Sequence, residues 1–151
     1  MKATIICGIL AILAVPFPAA ASLGGDVASV QADVAKMQAS LQTSSRDSYT
    51  VHEMQTPAGV AVKEYASASG KVFAVTWQGS VHPDLRQLLG TYYDQYVQAV
   101  QAHRAHRRGR GPLLIQEPGL VIQVTGHMRS FQGKAYVPQM LPAGIHVEDL
   151  R

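Results

Sequence analysis

Residues 49–78 carry the clearest indication of the fold and read YTVHEMQTPAGVAVKEYASASGKVFAVTWQ. Apolar and polar side chains alternate in three runs of this stretch, and a period of two residues is typical of strands with one buried face. Two short runs, TPAG at 56–59 and SASG at 67–70, separate them and favour tight turns. We therefore predict a three-stranded antiparallel meander with strands at residues 49–55, 60–66 and 71–78.

The pairing of these strands determines which side chains face the core. Pairing Gln55 with Val60 and Tyr65 with Val72 places six apolar side chains on one face: Val51, Val60, Val62, Phe73, Val75 and Trp77. The other face then carries His52, Lys63, Tyr65 and Thr76, the half-exposed pattern of an antiparallel sheet. A register error of one residue would move a strand's side chains to the opposite face.

The strongest helix signal runs from Asp84 to about His106. A broad apolar arc, typical of a helix packed on a core, is formed by Leu85, Leu88, Leu89, Tyr92, Tyr93, Tyr96, Val97 and Val100. The arc continues into His103, His106 and Arg107, where the helix should extend beyond the core. We expect one long amphipathic helix that covers the sheet.

The period of two residues returns after this helix. Residues 113–117 and 120–125 are predicted strands joined by a turn at Pro118 and Gly119. A second strand pair is expected around Phe131 and residues 135–137, with a turn at Gln132 and Gly133. An extended tail should follow, with a short edge strand at 145–147.

Residues 26–42 show a helical pattern that precedes the sheet. Val27, Val30, Val34, Met37 and Leu41 recur every three or four residues, which places them on one narrow stripe. Two heptads are fewer than a coiled coil needs. Packing of the stripe on the same chain is therefore favoured, and a monomer or a weak homodimer is expected.

Together these patterns predict an α+β fold. An antiparallel sheet, made of the meander and the C-terminal strands, is covered by the long helix within residues 49–151. An N-terminal helical arm and a polar linker at 43–48 occupy residues 22–48.

Residues 1–21 have the pattern of a secretory signal peptide. Lys2 precedes an apolar run at 3–15, two prolines and the small residues at 19–21, which is typical of export and cleavage after Ala21. The run is shorter than the roughly 20 residues that cross a bilayer, so no transmembrane segment is expected after cleavage. Cleavage would also remove Cys7, the only cysteine, and with it thiol and disulfide chemistry. We expect a periplasmic or secreted protein.

Positive charge is concentrated in the segment HRAHRRGR at 103–110, which we call the cationic segment. The 151-residue chain has a net charge of +3, but leaving out Lys2 and the segment's four arginines reduces its 13 basic side chains to 8, against 10 acidic ones. Because guanidinium groups bind phosphate oxygens in pairs, the segment could contact an anionic surface or an envelope partner. The candidate residues are His103, Arg104, His106, Arg107, Arg108 and Arg110. The alternative is that these cations only complete and solubilise a helix end.

Other ligands are disfavoured. Nucleic acid fits poorly with export and with a basic segment that has no interleaved aromatic residues. His103 and His106 could share a metal ion, but the neighbouring arginines repel cations and no acidic ligand is close in sequence. The sequence contains no phosphate loop, dinucleotide fingerprint, G-x-S-x-G or H-E-x-x-H motif. We expect neither a metal nor a cofactor.

Two groups of polar residues are weaker candidates. Glu53 and Glu64 share a face in the predicted register and could act as acid and base in a small hydrolase, although pairing of Glu64 with an arginine is favoured. Glu64, His127, Arg129 and Tyr136 could form a polar cluster beside a bend at Gly126.

Several blocks of sequence, in order, resemble a family of short exported proteobacterial proteins catalogued as domain of unknown function 2844. They are LGG at 23–25, VKEY at 62–65, GKVFAVTW at 70–77, PDLRQLLG at 83–90, GHMRSF at 126–131 and GKAYVP at 133–138. The resemblance implies a bacterial envelope or secreted location and brings no established activity. We therefore expect an exported, non-enzymatic binding or accessory protein, with a hydrolase as the alternative.

Overall fold

A computed structural model describes residues 23–106 and 111–151 and shows an α+β fold, as predicted. Seven strands form one antiparallel sheet in the order β1-β2-β3-β4-β7-β6-β5. The strands are β1 (Ser40–Ser45), β2 (Tyr49–Gln55), β3 (Val60–Ser67), β4 (Val72–Gly79), β5 (Leu113–Glu117), β6 (Leu120–His127) and β7 (Ser130–Tyr136). The helices are α1 (Val30–Met37), α2 (Leu85–Leu89) and α3 (Tyr93–His106).

The meander of β2, β3 and β4 is confirmed, but its predicted register is wrong by one residue between β2 and β3 and by two between β3 and β4, where Tyr65 pairs with Ala74 instead of Val72. Gln55 pairs with Ala61 rather than Val60, because Thr56 and Val60 close the turn themselves, with the Thr56 N–H donating to the Val60 carbonyl at 2.9 Å. Gly59, at φ +77°, completes this three-residue connection in the left-handed conformation that such turns require. As a consequence, Val51 and His52 exchange faces relative to the prediction.

The helices and the main core lie on one side of the sheet, which we call the covered face. Val60, Val62, Val75 and Trp77 pack there as predicted, under Leu88, Leu89, Ala99 and the tyrosines of the helical region. Phe73 does not join them, because β4 is irregular where Tyr65 pairs with Ala74 and Ala66 with Val72. It packs instead with Tyr65, Ala74 and Leu150 in a smaller cluster on the opposite, open face.

The predicted long helix is interrupted. Asp84 caps α2 by accepting hydrogen bonds from the N–H groups of Arg86 and Gln87, at 2.9 and 3.3 Å. Gly90, at φ +50°, then ends α2, and a short 3-10 turn leads into α3. A glycine adopts this conformation without the steric cost that other residues carry, so the regular α-helix stops there.

The N-terminal prediction is wrong after Met37. Gln38 takes a left-handed conformation at φ +51° and ends α1. The residues predicted as the end of the helix and as a linker form β1, which pairs with β2 along its whole length. The stripe nevertheless packs on the same chain, because Val34, Met37 and Leu41 contact the main core.

The C-terminal strands β5 and β6 are confirmed, whereas the predicted turn at Gln132 and Gly133 is wrong. These residues lie inside β7, and the chain turns at Met128 and Arg129 instead. Gly133 is required within the strand because a β-carbon there would lie 2.3 Å from the ring of Trp77. Residues 145–147 form no strand, and a 3-10 turn follows at Val147–Asp149.

No helix within residues 23–106 and 111–151 is long and apolar enough to cross a membrane. The predicted signal peptide at 1–21 lies outside the described residues.

Candidate functional site

A pair of carboxyl groups lies in the interior between the helices and the sheet. Asp33 comes from α1 and Glu64 from the middle of β3, and both residues have an exposed fraction of 0%. The amide nitrogen of Gln87, on α2, donates to Oδ1 of Asp33 at 2.6 Å. The site therefore connects α1 and α2 to the sheet.

Each carboxyl group affects the ionisation of the other. Burial, together with the repulsion and hydrogen bonding of Asp33, raises the pKa of Glu64 to about 8. Burial also raises the pKa of Asp33 to about 6, although the Gln87 hydrogen bond and the charge of Lys36 act in the opposite direction. Within the described residues, no N–H or O–H group donates to Oδ2 of Asp33 or to either oxygen of Glu64. With Glu64 protonated at neutral pH, the pair buries one negative charge instead of two.

A buried histidine adjoins this pair. His52 stands directly opposite Glu64 across β2 and β3, and opposite residues of antiparallel strands project to the same face. Its Nδ1 is 3.2 Å from Oγ1 of Thr43 on β1, and burial lowers its pKa. Because the neutral ring is favoured, His52 does not supply a positive charge to balance Asp33 and Glu64.

This arrangement can hold and release a proton, but it cannot meet a substrate. Both carboxyl groups are fully buried, so neither is available to act as acid or base on a molecule from solution. Asp33 and Gln87 were not among the predicted site residues. One signal for Asp33 was present: it lies three residues after Val30 and four before Met37, within the apolar stripe itself.

The predicted hydrolytic pair is wrong. Glu53 pairs across the strands with Lys63 on the open face, where their charged atoms are 3.6 Å apart, while Glu64 faces the covered side. The one-residue change in register places the two carboxyl groups on opposite faces of the sheet. The expected arginine partner of Glu64 is also replaced, by Asp33.

The predicted polar cluster is not formed. His127 and Arg129 are exposed at the turn between β6 and β7. Tyr136 lies at the far end of β7, roughly 20 Å along the strand at about 3.3 Å per residue, and on the open face with Tyr65. Glu64 is on the covered face, so the structure does not bring these four residues together.

The end of α3 matches the expectation for its described part. Among the α3 side chains that the structure describes, Ala99 is the last buried one, and residues 101–104 are exposed. His103 and Arg104 are exposed. The side chain of His106 and the residues Arg107, Arg108 and Arg110 lie outside the described part of the chain.

Comparison with known proteins identifies the family. The family model described as Protein of unknown function (DUF2844) matches residues 19–150. The chain belongs to this family. No curated protein and no solved structure matches it. The match of the DUF2844 model includes every strand and helix described above, so the buried Asp33–Glu64 pair and the end of α3 both lie inside the family region.

Proposed function

We propose that this DUF2844 protein is an exported, non-enzymatic module that binds an anionic surface through the cationic segment at 103–110. The observation that supports the proposal is the exposure of His103 and Arg104 beyond the point where α3 leaves the core. Side chains at this place make no contribution to the packing of the core, so they are available to a partner.

The chemistry of the segment favours phosphate-bearing surfaces. Four guanidinium groups in eight residues can form paired hydrogen bonds with headgroup phosphates. Each basic residue near an anionic membrane contributes about 1 kcal/mol. Four arginines therefore supply roughly 4 kcal/mol at low salt, which is enough for reversible surface binding.

Cleavage after Ala21 would leave the start of the described core intact. Leu23, two residues after the proposed cleavage point at Ala21, has an exposed fraction of 1% and donates its N–H to the carbonyl of Leu88 at 3.0 Å. Gly24 and Gly25 then bond to the backbone of Val72. A chain that starts at Ser22 keeps all these contacts, so removal of residues 1–21 is compatible with the described core.

Sedimentation with lipid vesicles tests the proposal. The protein should bind phosphatidylglycerol vesicles at low salt and phosphatidylcholine vesicles much less. Replacement of Arg104, Arg107, Arg108 and Arg110 by glutamine should weaken binding by up to about 1,000-fold, from the 4 kcal/mol above. Added salt should weaken binding of the unmodified protein in the same direction.

A matched control distinguishes binding through the cationic segment from a general effect of positive charge. The double variant Arg104→Gln/Arg107→Gln removes two charges from the segment, and Lys36→Gln/Arg129→Asn removes two exposed charges elsewhere. Asparagine tolerates the positive φ of 60° at position 129. We expect a clear loss of binding only for the segment variant. Equal losses in both variants, or none in the fourfold variant, would contradict the proposal.

A further inference from the structure

The open face of the sheet is covered along only part of its surface. The C-terminal tail packs Leu150 against Tyr65 and Phe73, and the hydroxyl of Tyr65 donates to the Arg151 carbonyl at 2.6 Å. Beside this tail lies a trough of about 460 Å³. Its volume falls within the roughly 300–1,000 Å³ that is typical of small-molecule sites.

Two rows of side chains that run across four strands form the floor of the trough. Strand pairing aligns Lys63, Thr76, Lys134 and Gln123 in one row, and Ala61, Gln78, Gln132 and Thr125 in the next. Neighbouring strands are about 4.8 Å apart, so each row extends roughly 14 Å and the two lysines stand about 10 Å apart. The trough is therefore elongated across the strands.

The charged side chains that line the trough are all basic. Lys63, Lys134 and Arg151 line it, and no acidic side chain is among its lining residues, all of which are described. Lys134 is oriented by donating to the Val147 carbonyl at 3.1 Å. Glu53 lies on the far side of Lys63 and partly balances its charge. An anionic ligand is therefore favoured.

The uncharged side chains of the trough restrict the chemistry of the ligand that it can bind. The rows present amides and hydroxyls as hydrogen-bond donors and acceptors, and the aliphatic stems of lysine and glutamine form apolar strips between them. The Trp77 ring belongs to the core on the covered face, so the floor offers no aromatic platform for nucleic-acid bases. Both rows lie on strands inside the sheet, whose backbone groups already pair with neighbouring strands. A peptide therefore cannot bind here by adding a strand. A chain of hydroxylated rings with carboxylates fits all these features.

We propose that this trough binds a linear acidic polysaccharide, with Lys63 and Lys134 contacting its carboxylates and the glutamine and threonine side chains its hydroxyls. The site is independent of the cationic segment, because α3 packs on the covered face and the trough lies on the open one. Either proposal can therefore fail without the other.

Calorimetric titration of the purified protein with short oligogalacturonates tests the site. Saturable binding is expected, and Lys63→Gln/Lys134→Gln should weaken it at least about tenfold, because two charge-assisted hydrogen bonds are lost. Glu53→Gln should strengthen it, since the neighbour that competes for Lys63 is removed. Lys36→Gln/Arg129→Asn, which lies outside the trough, should leave it unchanged.

Three further ligands test whether the trough prefers an acidic polysaccharide to other chemical classes. Methyl-esterified oligogalacturonate, polyglutamate and a single-stranded DNA oligonucleotide should each bind more weakly than the free acid. Equal binding of the ester would refute the role of the carboxylates. Tighter binding of polyglutamate or DNA would replace the polysaccharide by a peptide or a nucleic acid. No binding of the free acid, or binding unaffected by the lysine variant with its fold intact by circular dichroism, would also overturn the proposal.

Discussion

Replacement of Glu64 by glutamine should make the protein more stable at alkaline pH. Glutamine keeps the size of the side chain and can donate to Asp33, but it does not titrate. Glu64 has a pKa raised to about 8 in the folded protein, against about 4.5 in the unfolded chain. Its contribution to stability is therefore complete below pH 4.5 and is lost as the pH rises towards 8.

The magnitude follows from the proton balance. One pKa unit corresponds to about 1.4 kcal/mol, so between pH 5 and pH 8 the wild-type protein should lose up to roughly 4 kcal/mol through Glu64. The Glu64→Gln variant lacks this loss. We expect its free energy of unfolding to equal that of the wild type within about 1 kcal/mol at pH 5, and to exceed it by about 2–4 kcal/mol at pH 8.

Urea unfolding at fixed pH, followed by the fluorescence of Trp77, measures this difference; Trp77 is the only tryptophan and is buried. His52, whose pKa is lowered, contributes a pH dependence of opposite sign, but it is present in both proteins and cancels in the comparison. Glu53→Gln is the control, because a partly exposed ion pair should contribute less than about 1 kcal/mol and leave the slope unchanged. Parallel curves for wild type and Glu64→Gln from pH 5 to pH 8 would refute the raised pKa of Glu64.

Four further outcomes are expected. Gly133→Ala should destabilise the protein by about 1–3 kcal/mol in the same urea assay, because the new methyl group meets the Trp77 ring; an unchanged midpoint would contradict this packing. Gln87→Leu should cost about 1–3 kcal/mol above pH 6, where Asp33 is ionised, and less at pH 5. Asp84→Ala should cost about 1 kcal/mol through the lost cap of α2, whereas Asp84→Asn should cost little. The intact mass of the protein from the envelope or secreted fraction should correspond to a start at Ser22, and a mass that includes Met1 would reject cleavage.

Local signals were sufficient for most strands and for the presence of the helices. Alternation of apolar side chains, bounded by the turns at 56–59 and 67–70, located β2, β3 and β4 to within a residue or two. Local signals failed where long-range contacts decide. The polar residues of β1 form a strand because they pair with β2. Gly133 was predicted to be a turn residue because the neighbouring sequence does not show that the Trp77 ring leaves no room for a β-carbon there.

The candidate site was less predictable than the fold. Glu64 was predicted as a candidate site residue, but its partner depends on which residues of β2 and β3 face each other. That register is set at the turn, where Thr56 and Val60 form a hydrogen-bonded pair. Asp33 comes from a helix 31 residues earlier in the chain. Spacing in sequence carries no information about such a meeting, because it is created by packing of α1 on the sheet.

Composition and spacing along the chain were enough to predict the α+β class, the family resemblance, the strand and helix periods and the concentration of positive charge at 103–110. These are properties of composition and of local spacing, which are the same in any register. Which carboxyl groups meet depends on long-range packing, which places Glu64 beside Asp33 and on the opposite face of the sheet from Glu53. The reason is that a strand has two faces and a register shift of one residue exchanges them, so the chemistry of the interior depends on contacts between distant parts of the chain.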